Sequence, residues 1–367
     1  MNFELTPDQT MLADSVDKFC RAVHPTADRP RLIKTAGREG SHHWRAMADL
    51  GWLLLPIDAT RGGFDGVPTD IMVVAEGLGR HLLPEPFVSS AVVAAPLMAA
   101  GPQFEAVAAG TARIALALGD GDSRFDDLRV STTAKRVAAG WQLSGTKHHV
   151  ADGADADWFI VPARSGDAAT LSLFLVPAKL AGLTVGRFRS ADNRRNATLD
   201  LQDVVVAEDA LIDCGGGGGS SEALERAVQR GVLALCAEAV GAMDTLRDIT
   251  LEYLKTRRQF GTTIGSFQAL QHRMVDIAMQ CEEARAITYR ATLEFEAGIV
   301  GHQRMASAAK ARVGQAGLFV GRQATQLHGG VGTTDELVVS HYYKRLMAID
   351  LTYGNADYHR ARFGAMA

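Results

Sequence analysis

The sequence has little of what marks secreted, membrane-spanning or nucleic-acid-binding proteins. Only four of its 367 residues are cysteines, and their spacing matches no metal site, so we expect reduced thiols that pack as small apolar groups. A net charge of −4 provides no basic surface for nucleic acid. The first residues lack the cationic and apolar segments of a secretory signal, and apolar runs such as 89–100 are too short to span a bilayer. We therefore expect a cytoplasmic protein that binds neither nucleic acid nor a membrane.

Short-range patterns divide the first part of the chain into an N-terminal α-helical domain, 1–112, and a central β-domain, 113–213. The segment that begins at Thr6 is typical of a helix start, with Gln9 able to complete a capping box. From Arg113 the apolar spacing changes to short β-type runs separated by turns, which predicts a small antiparallel barrel or sandwich. The predicted extended segments are Trp52–Pro56, inside a loop, and the strands Ile114–Leu118, Trp141–Gly145, Trp158–Val161, Leu171–Val176 and Thr198–Val206.

A run of five glycines marks the boundary between the β-domain and a C-terminal helical bundle. The segment 214–221, which contains this run, predicts a flexible linker. Apolar residues then recur every three or four positions, as on one face of a helix. Long helices with short connections predict an up-and-down bundle over 222–367. The predicted helices run from Leu224 to Tyr253, from a Ser266 cap to Glu296 and from Gln303 to His328, with two shorter ones after them.

The most informative residues form two clusters in the predicted bundle. The first is Arg257-Arg258-Gln259-Phe260-Gly261, followed by Phe267-Gln268, and the second is Gln326-Leu327-His328-Gly329-Gly330. Each cluster alone is explained as a helix end, because basic side chains favour a helix C-terminus and glycine adopts the left-handed conformation that terminates it. Together, in this order and on long helices, they resemble the flavin-binding end of the acyl-CoA dehydrogenase family.

The resemblance covers nearly the whole chain and implies what the chain folds into and binds. The implied fold is the α+β multidomain fold of acyl-CoA dehydrogenases: N-terminal helices, a central antiparallel β-barrel or sandwich, and a helical bundle through which the protein oligomerises. The implied cofactor is FAD, the implied substrate an acyl-CoA, and the implied electron acceptor an electron-transfer flavoprotein or a similar protein.

The same resemblance assigns cofactor contacts residue by residue. Arg257 would pair with the FAD pyrophosphate, since a guanidinium can make two parallel charged hydrogen bonds. Phe260 would pack on the cofactor, and Gln268 would supply an amide to it. The residues implied at the adenosine diphosphate end, where bare glycine backbone permits close approach, are Gln326, Gly329 and Gly330.

The catalytic base of the family has no clear equivalent in this sequence. The family signature reads Tyr-Glu-Gly-Thr, with the Glu as base, whereas the matching residues 352–355 are Thr-Tyr-Gly-Asn. Tyr353 occupies the base position, but a phenol with an ordinary pKa of about 10 suits the task poorly. Some members place the base on the first bundle helix, at the position of Gly231. Glu238, about 10.5 Å further along that helix, is a weak candidate base, or alternatively a core carboxylate with a partner.

The β-domain also departs from the family pattern. Residues 118–125 lack the Thr-x-Pro and Gly-x-Gly-Ser-Asp motifs that lie along the flavin ring and the substrate. His149 stands where the family has a flavin-contacting Trp, and Ala151 stands where it has a Thr. The pair His148 and His149 does not predict a metal site, because adjacent strand residues point to opposite faces.

These departures suggest a division of labour between two chains. In the family, one chain supplies the flavin-ring wall and the base, and its neighbour supplies the Arg and Gln-x-x-Gly-Gly contacts. This chain keeps only the neighbour's half. It resembles the small, base-less subunit of heteromeric acyl-CoA dehydrogenases of steroid and dicarboxylate breakdown, such as the pimeloyl-CoA dehydrogenase small subunit.

The function that the resemblance implies is FAD-dependent α,β-dehydrogenation of an acyl-CoA thioester, together with a second acyl-CoA dehydrogenase-like subunit. Two alternatives stay open. One is a self-sufficient homo-oligomeric dehydrogenase with an atypical base, and the other is a non-catalytic structural or binding subunit that has lost FAD. The cofactor residues argue against the loss of FAD, because a scaffold needs none of them.

Overall fold

The computed structural model describes residues 4–24, 29, 42–121, 125, 129–166, 170–214 and 219–366. The chain forms two compact units. The helical unit contains described parts of 1–36, 67–84 and 232–367, and the sheet unit contains described parts of 37–66 and 85–231. No helix within these described ranges is long and apolar enough to cross a membrane. Most of the predicted glycine linker, 215–218, lies outside the described residues.

The helices begin and end largely where capping residues and apolar spacing predict. They are α1 (Pro7–Val23), α2 (His42–Asp49), α3 (Pro68–His81), α4 (Pro102–Ala108), α5 (Gly219–Thr256), α6 (Gln268–Glu296), α7 (His302–His328), α8 (Val338–Leu351) and α9 (Ala356–Ala365). The capping box of α1 is confirmed, because the Thr6 hydroxyl accepts from the Gln9 amide nitrogen at 3.2 Å and the Gln9 side chain accepts from the Thr6 nitrogen at 3.1 Å. The Ser266 cap was wrong: its hydroxyl donates to the Thr263 carbonyl at 2.7 Å, and α6 begins two residues later.

Helices α3 and α5 of the helical unit cross in direct backbone contact. A Cβ atom at Gly79 would lie 2.0 Å from the carbonyl oxygen of Glu238, and one at Gly241 would lie 2.0 Å from that of Glu76. Real Cβ atoms do not approach so closely, so both positions require glycine. The contact fixes the height of α5 against α3, and it also fixes where Glu238 lies.

The sheet unit is built around one curled, mixed sheet. Its strands are β1 (Ile114–Leu116), β2 (Gly119–Asp120), β3 (Thr133–Val137), β4 (Gly140–Val150), β5 (Trp158–Ser165), β6 (Thr170–Pro177), β7 (Leu183–Arg189) and β8 (Arg195–Val206). The order is β1-β5-β3-β4-β8-β7, with β2 on β4 and β6 on β5. Side chains such as Leu143, Phe159 and Phe174 form its core. Most of its strand pairs are antiparallel, as predicted, but β5 pairs in parallel with both β1 and β3.

Four segments of the sheet unit differ from the sequence predictions. Strands β3 and β7 were missed, because their sequences, Thr-Ala-Lys-Arg-Val and Leu-Thr-Val-Gly-Arg-Phe-Arg, carry few apolar residues and are held by backbone pairing to neighbours. The segment predicted as extended, 52–56, begins with a 3₁₀ turn, Trp52–Leu54. A π-helix, Phe87–Ala94, precedes the sheet, and all eight of its residues are buried.

Candidate functional site

The first motif cluster forms a tight hairpin directly after α5. Strand β9 (Arg258–Gln259) pairs with β10 (Thr262–Thr263), and Phe260 and Gly261 are the two turn residues. Both have left-handed backbone, with φ of 53° and 81°, as a type I′ turn requires. A phenylalanine in this conformation is strained by about 1–3 kcal/mol. Its ring is nevertheless 91% exposed, so the hairpin presents an aromatic surface that the described chain does not cover.

Polar side chains around this hairpin are also left without partners. The backbone of Arg257 is held at both ends, since its N–H donates to the Tyr253 carbonyl at 2.8 Å and its carbonyl accepts from the Ile264 N–H at 2.9 Å. Its guanidinium is exposed and has no hydrogen bond or ion pair to any described residue. The same holds for the side chain of Gln268, the first residue of α6. Fixed backbone with free polar ends is what a ligand-binding surface requires.

The second motif cluster ends α7 in a way that leaves its backbone open. Gly329 has φ of 69°, and the exposed Gly330 does not need left-handed backbone. A Cβ atom on either glycine would meet nothing within 4 Å in the described structure. Packing within the chain therefore does not explain why Gly330 is glycine. The exposed amide of Gln326 has no hydrogen bond to the described residues either.

The structure brings the two clusters together in the helical unit. The ring of Tyr253, on the last turn of α5, stacks on the imidazole of His328 with centroids 4.3 Å apart. The Tyr253 hydroxyl donates to the His328 carbonyl at 3.5 Å, and burial lowers the pKa of His328, which favours its neutral form. This stacked pair was not predicted, although both residues stand next to the motifs. The surface formed by Arg257, Phe260, Gln268, Gln326, Gly329 and Gly330 is called the motif surface below.

Tyr353 lies on a turn between α8 and α9 that buried polar groups hold in place. Its backbone is left-handed, with φ of 55°. The fully buried ammonium of Lys310 donates to the carbonyls of Asp350 at 2.8 Å and Gly354 at 2.6 Å. The imidazole of His359 donates from Nε2 to the Tyr353 carbonyl at 2.9 Å. The turn therefore has a fixed shape. Sequence reasoning missed Lys310, because a lysine in an Ala-rich helix usually lies on a solvated face.

Burial at this turn lowers the pKa values of both Lys310 and His359. Burial lowers the pKa of Lys310 to about 8. Burial, reinforced by the positive charge of Lys310, lowers the pKa of His359 to about 4. His359 is therefore neutral at pH 7, with its proton on the nitrogen that binds the Tyr353 carbonyl.

Glu238, the weak base candidate, is a core carboxylate with a partner. It is 4% exposed, and Arg345 of α8 is 8% exposed. The guanidinium donates from Nε to one carboxylate oxygen at 2.6 Å and from Nη2 to the other at 2.8 Å. Both oxygens of Glu238 thus face a fixed positive charge, as the alternative reading of this residue implied.

In the sheet unit, residues 118–125 stand where the family has a flavin-contacting motif. The side chain of Asp120 in this stretch is buried. The Asp120 carboxylate accepts from the Ser131 N–H at 2.7 Å and the Thr132 hydroxyl at 2.7 Å, and it pairs with Lys147 at 2.9 Å. Burial lowers the pKa of Lys147 to about 8, although Asp120 opposes the shift. Asp120 is therefore committed to the core of the sheet unit.

The two adjacent histidines lie at an irregularity of β4. His149 has φ of 52°, and the pairing of β4 with β8 shifts between Lys147 and Val150. The strict alternation that we assumed for His148 and His149 is therefore interrupted. His149 instead contacts Phe188 edge-on, with centroids 5.8 Å apart. The described residues contain no group of three His, Cys, Asp or Glu side chains arranged to hold a metal.

Comparison with known proteins defines the class to which this fold and motif surface belong. Residues 6–104, 115–204 and 217–366 match the N-terminal, middle and C-terminal domains of acyl-CoA dehydrogenase. The L-prolyl-(peptidyl-carrier protein) dehydrogenase of Serratia sp. is 26% identical, over 97% of this chain and 96% of that protein. The Tcur3481–Tcur3483 steroid ACAD is 28% identical, with a TM-score of 0.85 over 98% of this chain and 97% of that chain.

A third relative shares the fold at lower identity. The ChsE4–ChsE5 complex from Mycobacterium tuberculosis has a TM-score of 0.88 at 24% identity, and the match covers 100% of this chain and 98% of that chain. The family match extends over most of the sequence, and the chain belongs to the acyl-CoA dehydrogenase family. It is a flavoprotein oxidoreductase of the acyl-CoA dehydrogenase class, and its cofactor is FAD.

The motif surface fits this cofactor on its own chemistry. A free, exposed guanidinium suits a pyrophosphate, which accepts paired charged hydrogen bonds. Glycines that packing does not require leave backbone accessible to a ligand. An exposed aromatic ring on a strained turn offers a flat apolar contact. Arg257, Gly329 and Gly330, and Phe260 provide these three features.

Proposed function

We propose that this chain is the FAD-contacting subunit, without the usual catalytic glutamate, of a heteromeric acyl-CoA dehydrogenase. When bound, FAD supplies the hydride acceptor for α,β-dehydrogenation of an acyl-CoA thioester. In this proposal Arg257 holds the pyrophosphate, Phe260 packs on the cofactor, Gln268 supplies an amide, and the Gln326–Gly330 segment borders the adenosine diphosphate. A second acyl-CoA dehydrogenase-like subunit supplies the flavin-ring wall and the base.

The observation that carries the proposal is that no carboxylate is free at the positions where the family places its base. Gly231 has no side chain, and Tyr353 has a phenol that is mostly protonated at neutral pH. Glu238 lies seven residues after Gly231 on the same face of α5, but Arg345 occupies both of its oxygens. A general base needs an available lone pair and a pKa near the working pH. The α-proton is therefore removed by a residue of the other subunit.

The relatives support the division between two chains. The steroid ACAD that is 28% identical to this chain is named for two proteins, Tcur3481 and Tcur3483, and the ChsE4–ChsE5 structure is a complex of two. A steroid or dicarboxylate acyl-CoA is the substrate class that we propose, with an electron-transfer flavoprotein or a similar protein as acceptor. The domain boundaries 1–112, 113–213 and 222–367 stay part of the proposal.

Replacement of Tyr353 by phenylalanine tests the proposal directly. The variant keeps the ring and removes only the ionisable hydroxyl, so we expect the assembled complex to turn over its acyl-CoA within a few-fold of wild type. Loss of a true general base would cost about 10²–10⁴-fold. The companion variant Glu238→Gln removes the charge of the other candidate.

The readout for both variants is steady-state turnover at equal FAD content and equal assembly. A hundredfold loss in either one, with the cofactor retained, would contradict the proposal. The chain would then have its own active site, and the self-sufficient homo-oligomeric dehydrogenase would be the better interpretation.

A further inference from the structure

Tyr253 contacts both motif clusters of the helical unit. It precedes Arg257 by four residues, about one helical turn. Its carbonyl accepts from the Arg257 N–H at 2.8 Å, and the Thr256 hydroxyl donates to the same carbonyl at 3.3 Å. Its ring stacks on His328 of the second cluster, with centroids 4.3 Å apart and 26° between the ring planes. Tyr253 therefore joins the first cluster to the second.

The imidazole of His328 is also held by its own segment of the chain. It donates from Nδ1 to the Ala324 carbonyl at 2.9 Å, and a Cβ atom at Gly332 would lie 2.9 Å from the Cβ atom of His328. The residue is buried, and burial lowers its pKa, which favours the neutral ring. The ring on which Tyr253 stacks is therefore uncharged at neutral pH and fixed in orientation.

The same contact restrains the backbone that leads into the two glycines. The His328 carbonyl and the Gly329 N–H belong to one planar peptide unit. The Tyr253 hydroxyl donates to this carbonyl in a long hydrogen bond of 3.5 Å, and the Gly329 N–H donates to the Gln326 carbonyl. Because glycine has more backbone freedom than other residues, these bonds help to keep the Gly329–Gly330 segment in one conformation before a ligand binds.

We propose that Tyr253 and His328 are positioning residues for FAD, because their stacked rings fix Arg257 and the glycine backbone relative to each other. The inference rests on the proposed assignment of the motif surface to FAD. Groups that are held in place before binding lose less conformational entropy when the ligand binds. The two rings act through the residues beside them, and they need no contact with the cofactor themselves.

The affinity of variants for FAD tests this inference without any need for turnover. The dissociation constant is measured on the assembly of the full chain that retains the cofactor, by titrating FAD into its apoprotein and following flavin fluorescence. Tyr253→Leu removes the stack and should weaken binding about tenfold, whereas Tyr253→Phe keeps the stack and should stay within about threefold of wild type. His328→Leu removes the same stack from the side of α7 and should match Tyr253→Leu.

A double-variant cycle separates positioning from a general loss of structure. If Tyr253 acts through Arg257, Tyr253→Leu should weaken binding by only about threefold or less when Arg257 is already alanine, because the effects of coupled positions do not add. Tyr289→Leu is the matched control. Tyr289 is a half-buried tyrosine of the same unit, about 31 Å along α6 from Gln268, and its substitution should leave FAD affinity unchanged. Melting temperatures of all variants report whether they fold.

Wild-type FAD affinity in Tyr253→Leu and His328→Leu would overturn the inference. So would a double variant in which the two losses of affinity simply multiply, since that result means that Tyr253 and Arg257 act independently. Wild-type affinity in Arg257→Ala would remove the assignment of the motif surface to FAD, and the inference with it. None of these outcomes depends on which subunit carries the base, so the inference and the Tyr353 experiment can fail separately.

Discussion

Lys147 and Lys310 are fully buried, whereas Arg257 is exposed. This difference in burial suggests different roles for the three positive charges. Lys147 is paired with Asp120 at 2.9 Å, and Lys310 donates to two carbonyls within 2.8 Å. Such partners are needed because the burial of an unpaired charge costs on the order of several kcal/mol. The guanidinium of Arg257 has no such partner among the described residues. We interpret the buried lysines as structural and Arg257 as a ligand contact.

Substitution of Arg257 should weaken FAD retention. Arg257→Ala removes both the charge and the fork, and Arg257→Lys keeps only the charge, so even the conservative change should lower the FAD content of the complex. The neighbouring Arg258, whose guanidinium donates to the Gly261 carbonyl at 3.4 Å, provides the control Arg258→Ala. The ratio of flavin to protein absorbance after gel filtration measures the effect. Equal flavin content in all variants would return Arg257 to the role of a helix-end residue.

His359 should make stability depend on pH in acid. Its pKa is lowered from 6.5 to about 4 in the folded state, so the unfolded chain binds the proton more tightly. The stability that the neutral ring contributes is present above pH 6.5 and is lost as the pH falls toward 4. With one pKa unit worth about 1.4 kcal/mol, the loss amounts to ~3 kcal/mol.

Urea unfolding at several pH values between 7 and 4 measures this loss. The difference between wild type and His359→Gln isolates the contribution of the one imidazole from that of other titrating groups. We expect the variant to show a flatter pH dependence over this range. Parallel curves for the two proteins would contradict the assignment.

The two clusters that we assign to the cofactor stand out in the sequence because each is contiguous and ends a helix. Arg257 and Gly329 are recognisable from their neighbours alone. The partner of Glu238 and the lysine that holds the turn of Tyr353 could not be predicted, because Arg345 is 107 positions from Glu238 and Lys310 is 44 from Gly354. Those contacts depend on how the helices pack, and a single sequence does not reveal that.

At the scale of elements, the buried ion pair of Glu238 with Arg345 joins α5 to α8. It lies beside the crossing of α3 and α5, where Gly79 packs on the backbone of Glu238 itself. The carboxylate is therefore held from two sides, by backbone contact and by a two-pronged ion pair. Such a group stabilises the bundle by its position and its partner. It has no freedom to approach a substrate.

Glu238→Gln should therefore destabilise the chain rather than only alter its chemistry. Removal of one member of a buried pair leaves the other charge uncompensated, at a cost of about 3–5 kcal/mol. Glu252→Gln on the same helix is the control: Glu252 is exposed and pairs with Lys255 at 2.7 Å, and its loss should cost about 1 kcal/mol or less.

Chemical unfolding of the two variants compares these costs, and the double variant Glu238→Met, Arg345→Met should regain most of the lost stability. Equal stability of Glu238→Gln and wild type would mean that the pair contributes nothing, and Glu238 would become a candidate base again.

Elements also differ in how well the sequence predicts them. The long helices α5 to α7 follow from apolar residues at three- and four-residue spacing. The hairpin at Phe260 cannot be predicted in this way. Phenylalanine rarely adopts left-handed backbone, and strands of two residues are too short to show an apolar periodicity. Strand β7 was missed for a related reason: its residues are exposed or only partly buried, and it is held in the sheet by pairing with β8 along seven residues.

At the scale of the whole molecule, the chain has all three domains of the family, and we interpret its motif surface as one half of a flavin site. The motif surface of the helical unit is intact, with free polar groups and open glycine backbone. By the resemblance, the positions that carry the flavin wall and the base elsewhere in the family correspond here to the stretch 118–125, His149, Ala151, Tyr353 and Gly231. We propose that a second, different chain completes this site.

The FAD content of the purified protein tests this central claim most directly. The ratio of flavin to protein absorbance is measured for the chain purified alone and for the chain purified with its second subunit. We predict that the chain alone retains little FAD, and that the complex holds half as many FAD molecules as chains. A yellow homo-oligomer of this chain, with as many tightly bound FAD molecules as chains, would contradict the account.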